Sequence, residues 1–198
     1  MPPIPQRAIV RLRDGESALF GYGSLLSIES LERTLGRRYA GSFLVCRVEG
    51  WRRSWDAAVP NRRVFFAEQP PGRLYPGHIL YLNVRPAPGC FLNGVLFVVN
   101  AQERDAYDQR EVVYDRVDIT ESLSGVSVTG GRAYIYVARP ECSISSASSI
   151  AQAAVRATYL DIVAAGFRDL GPDFQAEYEA TTDPVPRHLL IADRREQP

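Results

Sequence analysis

Apolar positions fall in short runs separated by glycine and proline. Residues 18–22 form a brief apolar strand that ends in Gly21-Tyr22-Gly23-Ser24, a composition that requires a tight turn. A helix is predicted over 28–35, with Ser27 as N-cap, Glu29 in the first turn, Gly36 as the stop, and Leu31 and Leu35 on one face. Strand-like runs follow at 43–48, 51–58, 64–67, 78–84, 92–99, 112–119 and 133–138. The run 92–99 is the most apolar and reads as a buried central strand. Trp51 and Trp55 share one strand face and read as core, with Arg52 and Arg53 pointing partly to solvent. Asn100 and Glu103 have capping-box spacing and start a short helix to about Gln109. From 148 to 165 the spacing turns helical, with Ile150, Ala153, Ala154, Ala157, Leu160 and Ala164 on one face and Gly166 as the stop. The serine-rich patch 143–149 reads as a helix cap. Gly171-Pro172 opens a last helix leading to Thr181, with Phe174 and Tyr178 on one face. Many short strands with helices at intervals predict an α+β fold, a small barrel or rolled sheet. The expected domain covers 17–181, between an extended Pro-rich lead-in (1–16) and a partly ordered tail (182–198).

Composition removes several function classes. Lys plus Arg and Asp plus Glu both number 23, so no global basic field attracts nucleic acid or an anionic membrane. Cys46, Cys90 and Cys142 form neither a CxxC pair nor a Cys/His cluster, so no zinc site is expected. No apolar run reaches bilayer length and residues 1–12 lack a signal-like stretch, so a cytoplasmic location is expected.

Two places carry candidate chemistry. The serine of Gly21-Tyr22-Gly23-Ser24 invites a nucleophile, but Leu25 stands where a flanking glycine belongs. The chain's two histidines, His78 and His188, sit in no motif that supplies a base. The turn precedes a helix, so its amides suit a carboxylate or phosphate; a plain tight turn fits the composition equally well. Neither a P-loop nor a dinucleotide fingerprint is present, since Leu26 replaces the third glycine. The second place is Asp108-Gln109-Arg110-Glu111, after the short helix. A catalytic Glu needs an apolar setting to raise its pKa, and Val112, Val113 and Tyr114 can supply one. Asp108 and Asp115 are the competing carboxylates.

Three segments in order resemble the gamma-glutamylcyclotransferase superfamily. They are Phe20-Gly21-Tyr22-Gly23-Ser24-Leu25; the stretch from Asn93-Gly94-Val95-Leu96-Phe97 through Glu103 to Asp108-Gln109-Arg110-Glu111-Val112-Val113-Tyr114; and Ala157-Thr158-Tyr159-Leu160-Asp161-Ile162 with Gly166. The resemblance implies a small mixed β-barrel with flanking helices. It implies Glu111 as general acid/base, Phe20, Gly21, Tyr22, Gly23, Ser24 and Leu25 as the glutamyl-binding turn, and Tyr159 and Tyr114 as substrate contacts. The implied substrate is a small gamma-glutamyl compound cyclised to 5-oxoproline, as in glutathione metabolism, with no cofactor, metal, nucleic acid or membrane. Leu25 departs from the Asn of the human-type branch, and Leu26-Ser27-Ile28 from the aromatic of the glutathione-specific branch. Glutathione, gamma-glutamyl amino acids and gamma-glutamylamines therefore all stay open. The competing reading is a non-catalytic relative that binds a small carboxylate or a partner protein.

Overall fold

The computed structural model describes residues 8–62, 64–66, 76–144, 150 and 152–195. In chain order, β1 (Ala8–Arg11), β2 (Ser17–Gly21) and α1 (Ile28–Leu35) come first. They are followed by β3 (Phe43–Pro60), β4 (Val64–Phe66), β5 (His78–Val99) and α2 (Ala101–Arg110). Next are β6 (Tyr114–Asp118), β7 (Leu123–Ser124), β8 (Val126–Thr129), β9 (Ala133–Ala138) and β10 (Ala153–Arg156). Helices α3 (Ala157–Leu170) and α4 (Pro172–Ala180) lead to β11 (Leu190–Ile191) and β12 (Asp193–Arg195).

The main sheet is mixed and curls into a half-barrel, giving the α+β class expected from the strand pattern. Its path runs β11-β10-β5-β2-β9-β6, with β3 paired to β5 and β7. Each of the two longest strands reads from sequence as two. Gly50 (φ +82°) and the Pro86–Gly89 stretch look like breaks. In the fold, Gly50 lies at a register shift between β3 and β5, and Pro86 stays in register with Trp51. Such irregularities bend a pair of strands without ending their pairing.

β2 is buried along its whole length because the sheet is covered on both sides. Ala18 and Phe20 enter the larger core cluster, while Leu19 joins Leu25, Leu31, Phe97, Val99 and Tyr107 beneath the first two helices. The local helix signals match the observed boundaries. Ser27 accepts a hydrogen bond from the Ser30 amide, Gly36 takes the left-handed conformation, and the Asn100–Glu103 capping box is complete. Pro172 stands in the first turn of α4, where a missing N–H costs nothing.

Two expectations are corrected, and two flanking segments carry pairing of their own. Within 1–16, residues 8–11 are a strand paired in parallel with β8, and residues 1–7 lie outside the described residues. Residues 153–156 are a strand, not the start of a helix: Ala153–Val155 pair with His78–Leu80, and Val155 and Arg156 pair with β11. Within 182–198, Thr182 bridges to Arg53, and the β12 carboxylate Asp193 pairs with Arg156 at 2.7 Å and accepts from the Thr158 amide at 3.0 Å. That carboxylate holds the first turn of α3, and its pKa is low although burial alone would raise it, because Thr158 and Arg156 both favour its charged form. Residues 145–149 of the serine patch, Ala67 and residues 196–198 lie outside the described residues.

The second correction concerns Gly166, which lies inside α3 and does not stop it; the helix ends at Gly171. A Cβ at 166 would stand 2.7 Å from Leu26 Cβ and 2.8 Å from the Leu26 carbonyl oxygen. The glycine lets α3 lie directly on the turn after β2. Gly166→Ala favours a helix by about 1 kcal/mol in an open setting. Here it is expected to destabilise the protein by about 1–3 kcal/mol through overpacking, seen as a lower urea midpoint. A raised midpoint would contradict this packing.

Candidate active site

The turn after β2 is built by close approach. Gly94 of β5 lets the strand pass Phe20, since a Cβ there would fall 2.4 Å from the Phe20 ring and 2.5 Å from the Gly21 carbonyl oxygen. At Gly21 an added Cβ would meet Leu25 at 2.8 Å, so this glycine closes the turn on itself. Residues Ser24–Leu26 then form a single 3-10 turn, with no side chain capping its start. The first amides of such a turn have no partner within it. Behind the turn, the Tyr22 carbonyl accepts from Arg53 Nε at 3.2 Å and from the Tyr178 hydroxyl at 3.1 Å. Arg53 is wholly buried, against its expected partial exposure. Its donors also reach the Thr181 and Thr182 hydroxyls and both oxygens of Asn93, and its guanidinium lies 3.8 Å from the Tyr178 ring.

A cavity of about 400 Å³ opens in front of the turn. Phe20, Tyr22, Gly23, Ser24, Leu25, Glu111, Tyr114 and Tyr159 all contribute to its lining. The structure thus brings together eight of the nine positions singled out in the sequence; Gly21 does not line the cavity. Glu111 caps α2 at its C-terminal end, and the turn from Glu111 to Tyr114 then starts β6 two residues later than expected. The Glu111 side chain is 16% exposed. Burial pushes its carboxyl above the usual carboxylate range, and Arg110 opposes that rise, with Nε 3.3 Å from Oε1.

Tyrosines form much of the remaining wall. The Tyr22 hydroxyl donates to the Tyr136 carbonyl at 2.7 Å, and that of Tyr114 to the Leu82 carbonyl at 3.0 Å. Tyr159 from α3 meets Tyr81 and Trp55 edge-on, at centroid separations of 4.9 and 6.1 Å. Its hydroxyl would be 2.8 Å from a Cβ at position 23, so glycine there leaves it room against the turn. Burial, then neighbouring phenols and Glu111, hold Tyr22, Tyr114 and Tyr159 well above the ordinary phenol value. All three are neutral donors or acceptors at physiological pH.

The competing acids lie elsewhere. Asp108 accepts from the Tyr136 hydroxyl at 2.7 Å and pairs with Arg116 at 2.8 Å, while Asp115 is exposed on β6. Neither lines the cavity, and neither histidine does. The Ser24 hydroxyl accepts from Arg110 Nη2 at 2.8 Å, which gives it no base. Among the described residues no group of three or more His, Cys, Asp or Glu is placed to hold a metal, and no helix is long and apolar enough to cross a membrane. Sequence reasoning missed Arg110, Arg156, Tyr81 and Tyr136 in the lining. Arg110 stands in the last turn of a helix, where a basic residue is common for its effect on the helix dipole alone.

No family model and no curated protein matches the chain. Solved structures do. A gamma-glutamyl cyclotransferase superposes with TM-score 0.57 at 14% identity, over 86% of this chain and 90% of its own. The uncharacterized protein loc79017 from Homo sapiens does so with TM-score 0.52 at 16% identity, over 87% and 91%. YkqA from Bacillus subtilis does so with TM-score 0.58 at 12% identity, over 87% of this chain but 56% of its own. The chain has the gamma-glutamylcyclotransferase-like fold.

Proposed function

We propose that this protein cyclises a gamma-glutamyl compound to 5-oxoproline, with Glu111 moving the protons. The observation that carries the reading is a cavity on whose wall Glu111 is the one carboxylate among the described residues, beside the glycine-rich turn. The gamma-glutamyl cyclotransferase of the same fold supports it.

The chemistry needs little from the protein beyond orientation and proton transfer. The substrate's α-amine attacks its own γ-carbonyl carbon, a C–N bond closes the five-membered ring, and the original amide C–N bond breaks to release an amine. Orienting groups within one molecule gives effective molarities of about 10⁵ M or more. The α-amine, with a pKa near ~8, is mostly protonated at neutral pH. A base must take its proton before or during attack, and an acid must protonate the leaving nitrogen. A carboxyl raised by burial does both in turn. The glutamyl α-carboxylate and the oxygen of the tetrahedral intermediate need donors, which the uncapped amides at Ser24 and Leu25 and the neutral Tyr159 hydroxyl offer. Tyr159, whose hydroxyl lies against the turn at Gly23, and Tyr114 serve as substrate contacts.

The pH dependence follows from the Glu111 environment. Its carboxyl is raised, so the acid limb of kcat/KM is expected above the ordinary Glu value and activity falls as Glu111 protonates. The buried tyrosines titrate too high to shape the profile near neutrality. The function itself is tested by 5-oxoproline release from glutathione, gamma-glutamyl dipeptides and gamma-glutamylamines. Release from at least one class is expected. Silence across all three favours the non-catalytic carboxylate-binding module.

A further inference from the structure

The cavity contains one side chain that joins the proposed base to the glutamyl-binding turn. Arg110 directs Nη1 to the Thr34 hydroxyl at 2.7 Å, Nη2 to Ser24 Oγ at 2.8 Å and to Ser30 Oγ at 3.4 Å, and Nε toward Glu111 at 3.3 Å. Its partners come from α1, from the turn after β2 and from the end of α2. A planar fork with fixed donor directions can satisfy such a set; a single ammonium cannot. We propose that Arg110 is a positioning residue for the site: its guanidinium fixes the Glu111 carboxylate and the Ser24 turn in one rigid arrangement facing the substrate.

The three hydroxyls and Glu111 face four of the five N–H donors of this guanidinium. Arg110 therefore acts through Glu111 and Ser24, and its charge is spent on the protein's own carboxylate. The other groups facing Glu111 are phenols: Tyr22 from the turn after β2, Tyr107 from α2, Tyr114 from β6, Tyr136 from β9 and Tyr159 from α3. All are raised by burial and uncharged near neutral pH. The other lining arginines are engaged elsewhere, Arg33 with Glu29 and Arg156 with Asp193. Arg110 is thus the cation that offsets the burial of Glu111. Without it the carboxyl keeps its proton to higher pH, and the base is lost at a pH where the wild type still has it.

The kinetic part rests on the cyclotransferase reading; the titration does not. The Glu111 carboxyl is followed by ¹³C NMR in the full chain, wild type against Arg110→Gln and Arg110→Lys, with the amide spectrum as a check on folding. Arg110→Gln is expected to move the Glu111 titration to higher pH, and the acid limb of kcat/KM with it. Arg110→Lys keeps the charge and so most of the titration, but loses the fork, and kcat/KM at its optimum is expected to fall about tenfold or more. A folded Arg110→Gln with an unchanged Glu111 titration overturns the proposal whether or not the protein is an enzyme. Should Arg110→Gln fail to fold, an Arg110→Lys variant with undiminished kcat/KM overturns it. A wild type that releases no 5-oxoproline, yet shows the titration shift in Arg110→Gln, removes the functional reading and leaves the coupling standing.

Discussion

Glu111→Gln is expected to abolish 5-oxoproline release while leaving the fold at least as stable at pH 7. Removing a general acid–base group costs about 10²–10⁴ in rate, and one group serving both proton transfers belongs at the upper end. The stability half follows from linkage. Burial raises the Glu111 carboxyl even against the pull of Arg110. Between the unfolded and the higher folded pKa, the native state binds more protons than the unfolded state. Stability therefore falls as pH rises through that window, and the penalty is fully present above the folded pKa. Glutamine has similar volume and carries no charge to desolvate. A 5-oxoproline assay beside urea unfolding at pH 7 separates the two effects. Retained activity would remove the proposed base, and a large loss of stability would show that Glu111 holds the fold.

Arg53→Ala is expected to be the most damaging change at a position outside the cavity wall, costing about 4 kcal/mol. The side chain is wholly buried and its hydrogen-bond partners are carbonyls, hydroxyls and an amide oxygen, with no carboxylate among them. Burial lowers its pKa to about 10, so it is still charged at neutral pH. Truncation leaves the Asn93 and Tyr178 carbonyls without that donor, opens a cavity and strips the cation from the Tyr178 ring. It also frees one of the two bonds on the Tyr22 carbonyl, so the glycine-rich turn loosens from behind. Urea unfolding should show the loss. Arg53→Lys should not restore it, because one ammonium cannot reach acceptors spread over the turn after β2, β5 and the end of α4. A loss below about 1 kcal/mol, or full rescue by lysine, would contradict this role.

The contrast between these two residues explains what was legible in the sequence. Caps and stops are local: Ser27, Gly36, Asn100 with Glu103, and Pro172 act on amides a few residues away, so their spacing alone places helix ends. Ordered motifs brought Glu111, Tyr159 and the Gly21–Leu25 turn into one hypothesis, although nothing in the spacing shows that they share a cavity. Arg53 is the opposite case. A charged residue beside Trp51 reads as solvent-facing, and only partners up to 129 positions away make its burial tolerable. Gly166 looks like a helix stop until Leu26 packs on it, and Ala153–Arg156 look helical until β5 and β11 flank them. Gly50 and Pro86 look like breaks because the curl of a long strand pair depends on register, which composition does not encode. Asp193, in a segment that resembles a tail, secures the start of the helix that carries Tyr159.

The central claim is that the glycine-rich turn grips a glutamyl group while Glu111 moves its protons. A crystal structure of the Glu111→Gln variant with an uncleaved gamma-glutamyl compound tests both halves at once. The account predicts the glutamyl carboxylate against the Gly21–Leu25 turn and the α-amine within hydrogen-bond reach of the side chain at position 111. A compound bound away from the turn, or an amine pointing away from position 111, would contradict it.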